Sequence, residues 1–243
     1  LNVLITRPIN QAGSLKSLIK KNGHKALLFP TLKIKKLSVD IDAGNYDALI
    51  FISINSVEYA IDQINFSSTN KYKVFAVGES TANKLVEHGI KVDCYPKQNA
   101  SSEELLSMPM VSAMKQKKIL IIRGKGGRET LKSGLVKHSN DVFYAEVYKR
   151  TESDISNIHR DSMLKIINSS ESIVTITSIE SLLALLSITN KIDPNFIEII
   201  KSTPLIALSE RIRDFAKSVG FLHLYVASET NNKGLVAVIN QSK

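Results

Sequence analysis

Short apolar runs recur at 3–6, 48–52, 74–77, 119–122, 173–176 and 205–208, each rich in Val, Ile and Leu. Runs of this length without polar alternation predict strands buried on both faces, as in a parallel sheet. A helical spacing of apolar positions then appears. Within 80–88, Ala82, Leu85 and Val86 lie three and four apart; within 210–219, Ile212, Phe215, Ala216 and Val219 do the same. Gly89 and Gly220 follow these stretches at the position where a helix C-terminus favours glycine. Further short strands are predicted near 25–29, 91–95, 142–148 and 222–226. Strands that alternate with helices in this way predict an α/β fold with parallel sheets flanked by helices.

The pattern runs through the chain twice. "VLITR" at 3–7 returns as "ILIIR" at 119–123. "LIFISINSV" at 49–57 returns as "VTITSIESL" at 174–182, which sets Ser53 against Ser178 and Ser56 against Ser181. "VFAVGESTANKLVEHG" at 74–89 returns as "PLIALSERIRDFAKSVG" at 204–220, which sets Gly78 against Ser209. Two similar domains with a cleft between them are therefore expected. "FPTLKIKKL" (29–37) and "YAEVYKRT" (144–151) are extended and occupy equivalent places. They predict two strands crossing between the domains. The expected division is 1–32 with 151–243 as one discontinuous domain and 38–145 as an inserted one. The connections are 33–37 and 146–150.

An apolar content of 43% suits a globular protein of 243 residues. No apolar run approaches the ~20 residues of a membrane helix. The start, "LNVLITRP", reads as a first strand and not as a signal peptide. Cys94 is the only cysteine, so an internal disulfide is excluded and a reducing, cytoplasmic location is expected. The net charge of +9 suits an anionic partner. The lysines are scattered, however, and no basic stripe is interleaved with aromatics, so nucleic acid is not the expected partner.

In parallel α/β sheets, ligands bind beyond the carboxyl ends of strands, beside helix N-termini that favour anions. The turns at these places begin at Arg7, Ser53, Gly78, Arg123, Thr177 and Ser209. Hydroxyls and glycines dominate them. Each hydroxyl has a plainer reading as a helix N-cap. The loop at 124–128 holds Gly124, Gly126 and Gly127 but matches neither the P-loop nor the dinucleotide fingerprint. Arg123 and Arg128, which flank it, are suited to bidentate carboxylate binding or to plain solvation. The five histidines lack metal-ligand spacing.

The ordered set "VLITRP", "FPTLKI", "FISINSV", "VFAVGESTANKLVEHG", "ILIIRGKGGRETL", "EVYKR" and "IALSERIRDFAKSVGF" resembles the uroporphyrinogen-III synthases over almost the whole chain. The resemblance implies two α/β domains joined by a two-stranded β ladder. It also implies a hydro-lyase of tetrapyrrole and haem biosynthesis that uses no cofactor and no metal. The implied substrate is hydroxymethylbilane, a linear tetrapyrrole with eight carboxylates. It is closed to uroporphyrinogen III with inversion of the last pyrrole ring and loss of water. "EVYKR" places Tyr148 as the residue that helps the hydroxyl leave. Ser53, Thr81 and Ser178 match the family's hydroxyl positions. With Arg7, Arg123 and Ser209 from the same turns, they make up the expected substrate-binding set. Ile52, Arg211 and Ile212 depart from the family pattern, which often has small hydroxyl residues or threonines there. A monomer without membrane or nucleic-acid partners is expected. The alternative is a non-catalytic α/β cleft protein that binds an anionic metabolite.

Overall fold

A computed structural model of the chain describes residues 1–66, 72–169 and 171–241. Its strands, in chain order, are β1 (Asn2–Ile5), β2 (Lys25–Leu28), β3 (Leu32–Lys36), β4 (Ile41–Asp42), β5 (Ala48–Phe51), β6 (Ile64–Asn65), β7 (Lys73–Ala76), β8 (Lys118–Gly124), β9 (Asp141–Glu152), β10 (Ser172–Ile176), β11 (Leu205–Ala207) and β12 (Leu224–Val226). The chain divides into two compact units. One joins Leu1–Lys33 to Thr151–Lys243, and the other is Ile34–Arg150.

The first unit holds a five-stranded sheet in the order β12-β11-β10-β1-β2, parallel throughout. The second holds β3-β9-β8-β5-β7, in which β8 pairs parallel with β9 and with β5, and β5 with β7. The sequence repeat reappears here as register. Asn2 faces Lys25 in one sheet, and Lys118 faces Asp141 in the other. Val174 faces Leu205 as Leu49 faces Val74. Ile206 faces Tyr225 as Phe75 faces Cys94. Each pair is related by the offsets that align the two copies. The connecting segments β3 and β9 are neighbours, and β9 continues inward to pair with β8.

Alternate residues of the central strands feed two separate apolar layers. Leu49 and Phe51 enter one layer, and Ala48 and Ile50 the other. In the first unit Leu4 points to one layer while Val3 and Ile5 point to the opposite one. Burial on both sides is the physical reason that these strands read as unbroken apolar runs.

The helix Glu79–Glu87 ends as its glycine predicts. Gly89 has φ +76°, Ile90 N–H donates to Leu85 O at 3.0 Å, and Gly89 N–H donates to Val86 O at 2.9 Å. This paired arrangement satisfies carbonyls that the last turn leaves open. Gly220 closes the helix Glu210–Ser218 in the same way.

The segment 91–95 is not a strand; a single bridge from Cys94 to Phe75 remains. The Asp93 carboxylate takes the Val74 N–H at 2.8 Å that a strand would otherwise have used. Pro96 follows and brings no N–H. Among the described residues, no helix is long and apolar enough to cross a membrane.

Candidate functional site

In the second unit the chemistry gathers where β5 and β8 end. β5 stops at Phe51, and Ser53 caps the helix Ile54–Ala60. Its Oγ accepts from Ser56 N–H at 3.1 Å, and Ser53 N–H donates to Ser56 Oγ at 3.0 Å. This reciprocal cap pins the Ser53 side chain. A second hydroxyl meets it from β9: the Tyr148 phenol lies 3.3 Å from Ser53 Oγ.

A bulge brings Tyr148 there. Arg123 pairs with Glu146, but the next residue, Gly124, pairs with Tyr148. The extra residue breaks the alternation of β9, so that Ala145, Val147 and Tyr148 all enter one core layer. Re-aiming a side chain in this way is a common effect of a bulge. The ring then lies against Gly124, where a Cβ would stand 2.4 Å from Tyr148 Cε2. Tyr59 flanks it with ring centroids 5.7 Å apart. Lys125 N–H donates to Tyr148 O at 2.7 Å. Tyr148 is only 5% exposed, so its phenol is held rather than free to turn.

Arg123 is also buried, at 4% exposure. Its Nε donates to Gly124 O at 3.2 Å, its Nη2 to Gly126 O, and its Nη1 to Glu129 Oε1 at 3.3 Å. The guanidinium stacks 4.4 Å from the centre of the Tyr144 ring. Tyr144 donates its phenol proton to Glu129 Oε2 at 2.7 Å. That bond, more than the Arg123 charge, holds the Glu129 carboxyl below its ordinary range. Burial, reinforced by the same bond, pushes the Tyr144 phenol up to about 12. Thr81 lies buried in the first turn of the helix that follows β7.

The remaining predicted residues belong to the first unit. Arg7, just past β1, is half-buried and donates from Nη1 to Asn232 Oδ1 at 2.7 Å. Burial lowers its pKa from the usual value. Ser178 caps the helix Ile179–Ile192 by accepting from Ser181 N–H at 3.0 Å. Ser181 in turn enters a buried hydroxyl cluster, 2.7 Å from Thr31 Oγ1 and 3.1 Å from Thr6 Oγ1. Ser209 stands at the N-terminus of Glu210–Ser218 without a side-chain cap bond. The departure at Ile212 has a plain cause, since Ile212 is 3% exposed and belongs to the core.

Sequence reasoning did not single out Tyr59, Tyr144, Glu129 or Asn232. None carries a motif of its own; each is found only through the residue it touches. Gly124 lies in the glycine loop, but no pattern reveals that a ring rests on it or that Arg123 bonds to Glu129.

A protein-family model described as uroporphyrinogen-III synthase HemD matches residues 13–237. The uroporphyrinogen-III synthase of Escherichia coli is 26% identical, over 98% of this chain and 100% of its own length. That of Proteus mirabilis is 30% identical over 62% of this chain and 80% of its own. The crystal structure of uroporphyrinogen-III synthetase from Helicobacter pylori superposes with a TM-score of 0.66 at 18% identity, covering 100% of this chain and 99% of that one. At that identity the likeness speaks for the fold.

Proposed function

Since this chain belongs to the uroporphyrinogen-III synthase family, whose members are hydro-lyases of haem biosynthesis, we propose that Tyr148 is the proton donor of the reaction. The non-catalytic alternative is not favoured, because the matching relatives are named as synthases. Hydroxymethylbilane must lose its terminal hydroxyl to leave an azafulvene cation. A spiro intermediate then lets the last pyrrole ring invert before closure. The protein's tasks are to protonate the leaving hydroxyl and to hold the chain folded.

One observation carries the assignment. The Tyr148 phenol is fixed at the carboxyl end of the sheet by Ser53 on one side and Gly124 on the other. A general acid needs a positioned proton near the leaving group, and a rigid phenol supplies one. Neutral hydroxyls beside a developing cation also avoid the repulsion that a guanidinium would bring. Arg7, Thr81, Ser178 and Ser209 are assigned to the carboxylates of the substrate. We expect a cytoplasmic monomer without membrane or nucleic-acid partners.

The test is incubation with freshly made hydroxymethylbilane, followed by separation of the oxidised type I and type III isomers. The parent chain should give type III. Tyr148→Phe should lose ~10²–10⁴-fold in turnover, the usual value of general-acid help. Turnover within about threefold of the parent, far below that range, would remove Tyr148 from the mechanism.

A further inference from the structure

We propose that Arg123 is a positioning residue for Tyr148 and not a ligand of the substrate; the inference rests on Tyr148 being the proton donor. Arg123 occupies the last regular position of β8 before the bulge, opposite Glu146. At 4% exposure its charge needs partners close by, and it finds them in its own loop. The fork spans the carbonyls of Gly124 and Gly126, its third nitrogen reaches Glu129, and its face covers Tyr144. Three of the five guanidinium N–H donors are thus spent on the loop's own carbonyls and carboxylate.

The loop it ties down is the one that holds Tyr148. Gly124 is the surface on which the ring rests, and the Lys125 N–H anchors the Tyr148 carbonyl at 2.7 Å. Gly126 N–H lies 3.3 Å from Glu146 Oε1, a second tie between loop and strand. Gly127 completes the fit: its φ is +105°, and a Cβ there would lie 2.7 Å from Arg123 Nη2. Arg123 therefore sets the path of residues 124–127, and that path sets the depth and angle of the phenol. Lysine keeps the charge but lacks the planar fork that spans two carbonyls.

The experiment is steady-state kinetics on the full chain for four proteins: the parent, Arg123→Lys, Tyr148→Phe and the double variant. Arg123→Lys should lower kcat by about tenfold or more, within the ~10²-fold that a 1 Å misplacement costs, and leave KM within about twofold, since it removes no substrate contact. In the Tyr148→Phe background the same change should alter kcat by less than about twofold, because the two residues act as a unit. A raised KM with unchanged kcat would make Arg123 a substrate ligand and overturn the proposal. An equal loss in both backgrounds would overturn it too, by showing that Arg123 acts independently of Tyr148. Tyr148→Phe alone reports separately on the proton-donor reading, and if that variant keeps its turnover the present inference falls with it. Should Arg123→Lys fail to fold, Glu129→Gln replaces it. Glu129 is exposed, and losing its charge loosens Arg123 without emptying the core. It should lower kcat less than Arg123→Lys, again at constant KM; a change in KM alone would count against the proposal.

Discussion

The Tyr148 ring lies on the α-carbon of Gly124, leaving no space for a methyl group: a Cβ there would stand 2.4 Å from Cε2 and 2.9 Å from the phenolic oxygen. Gly124 does not adopt the left-handed backbone, so its role is space and not flexibility. Gly124→Ala should therefore push the ring away from Ser53. We expect a stability loss of about 1–3 kcal/mol, typical of overpacking, and a turnover loss approaching that of Tyr148→Phe. Urea denaturation and the isomer assay measure the two effects. Full activity in Gly124→Ala would mean that the position of the ring is irrelevant to catalysis.

Gly89→Ala provides the contrast. A Cβ at Gly89 meets nothing within 4 Å, but φ is +76°. The cost should be purely conformational, about 1–2 kcal/mol, with turnover unchanged. A neutral or stabilising result in thermal unfolding would contradict this account of the helix end.

Ser53 and Ser178 are repeat partners, and both cap helices. Replacing either by Ala should cost about 1 kcal/mol of stability. Their kinetic effects should differ. Ser53→Ala frees the Tyr148 phenol and should lower kcat. Ser178→Ala should raise KM by about fivefold or less, the worth of one neutral hydrogen bond. Identical kinetic profiles for the two variants would show that the Ser53–Tyr148 contact has no catalytic consequence.

The Tyr144–Glu129 pair makes stability depend on pH at both ends of the scale. The Tyr144 phenol is raised to about 12. Its stabilisation is complete below the unfolded value near ~10 and is lost as pH rises through the folded value. The Glu129 carboxyl is depressed. Its stabilisation is present above the ordinary carboxyl range and is lost as pH falls through the lower folded value. Tyr144→Phe should remove the alkaline loss and flatten the acid one. Urea midpoints measured across pH for the parent and the variant decide this; parallel curves would sink it.

The strands were legible because two-sided burial leaves no polar residue in the middle of β1, β5, β8 or β10, apart from the hydroxyl of Thr175. The repeat was legible because equal registers demand equal spacings. Ser53 and Ser178 were legible as caps, because a serine before an apolar helix has a local signature. The bulge at Arg123 and Gly124 was not legible. It arises from a ring and a glycine 24 positions apart fitting together, and periodicity carries no record of that. The two-residue strands Ile41–Asp42 and Ile64–Asn65 are too short to show any period. Arg123 stays open for a similar reason: at the end of a strand beside glycines, an arginine aimed at a ligand and one folded back on its own loop have the same sequence.

The first unit takes β1 and β2 from the start of the chain and β10, β11 and β12 from beyond residue 171. β1 sits between β10 and β2, buried on both faces. During synthesis, the ribosome releases β1 long before its neighbour β10 exists. The segment Ile34–Arg150, emerging in one stretch, can meanwhile complete its own sheet. β1 is thus made well before it is satisfied, and an unpaired apolar edge must wait while the whole inserted unit Ile34–Arg150 is synthesised. Such an interval invites wrong pairing. The cost of a discontinuous unit is therefore paid in time during assembly, and it should be visible in a nascent chain stalled after Glu152 has left the ribosome and before Ser172 has, as protease sensitivity confined to Leu1–Lys33.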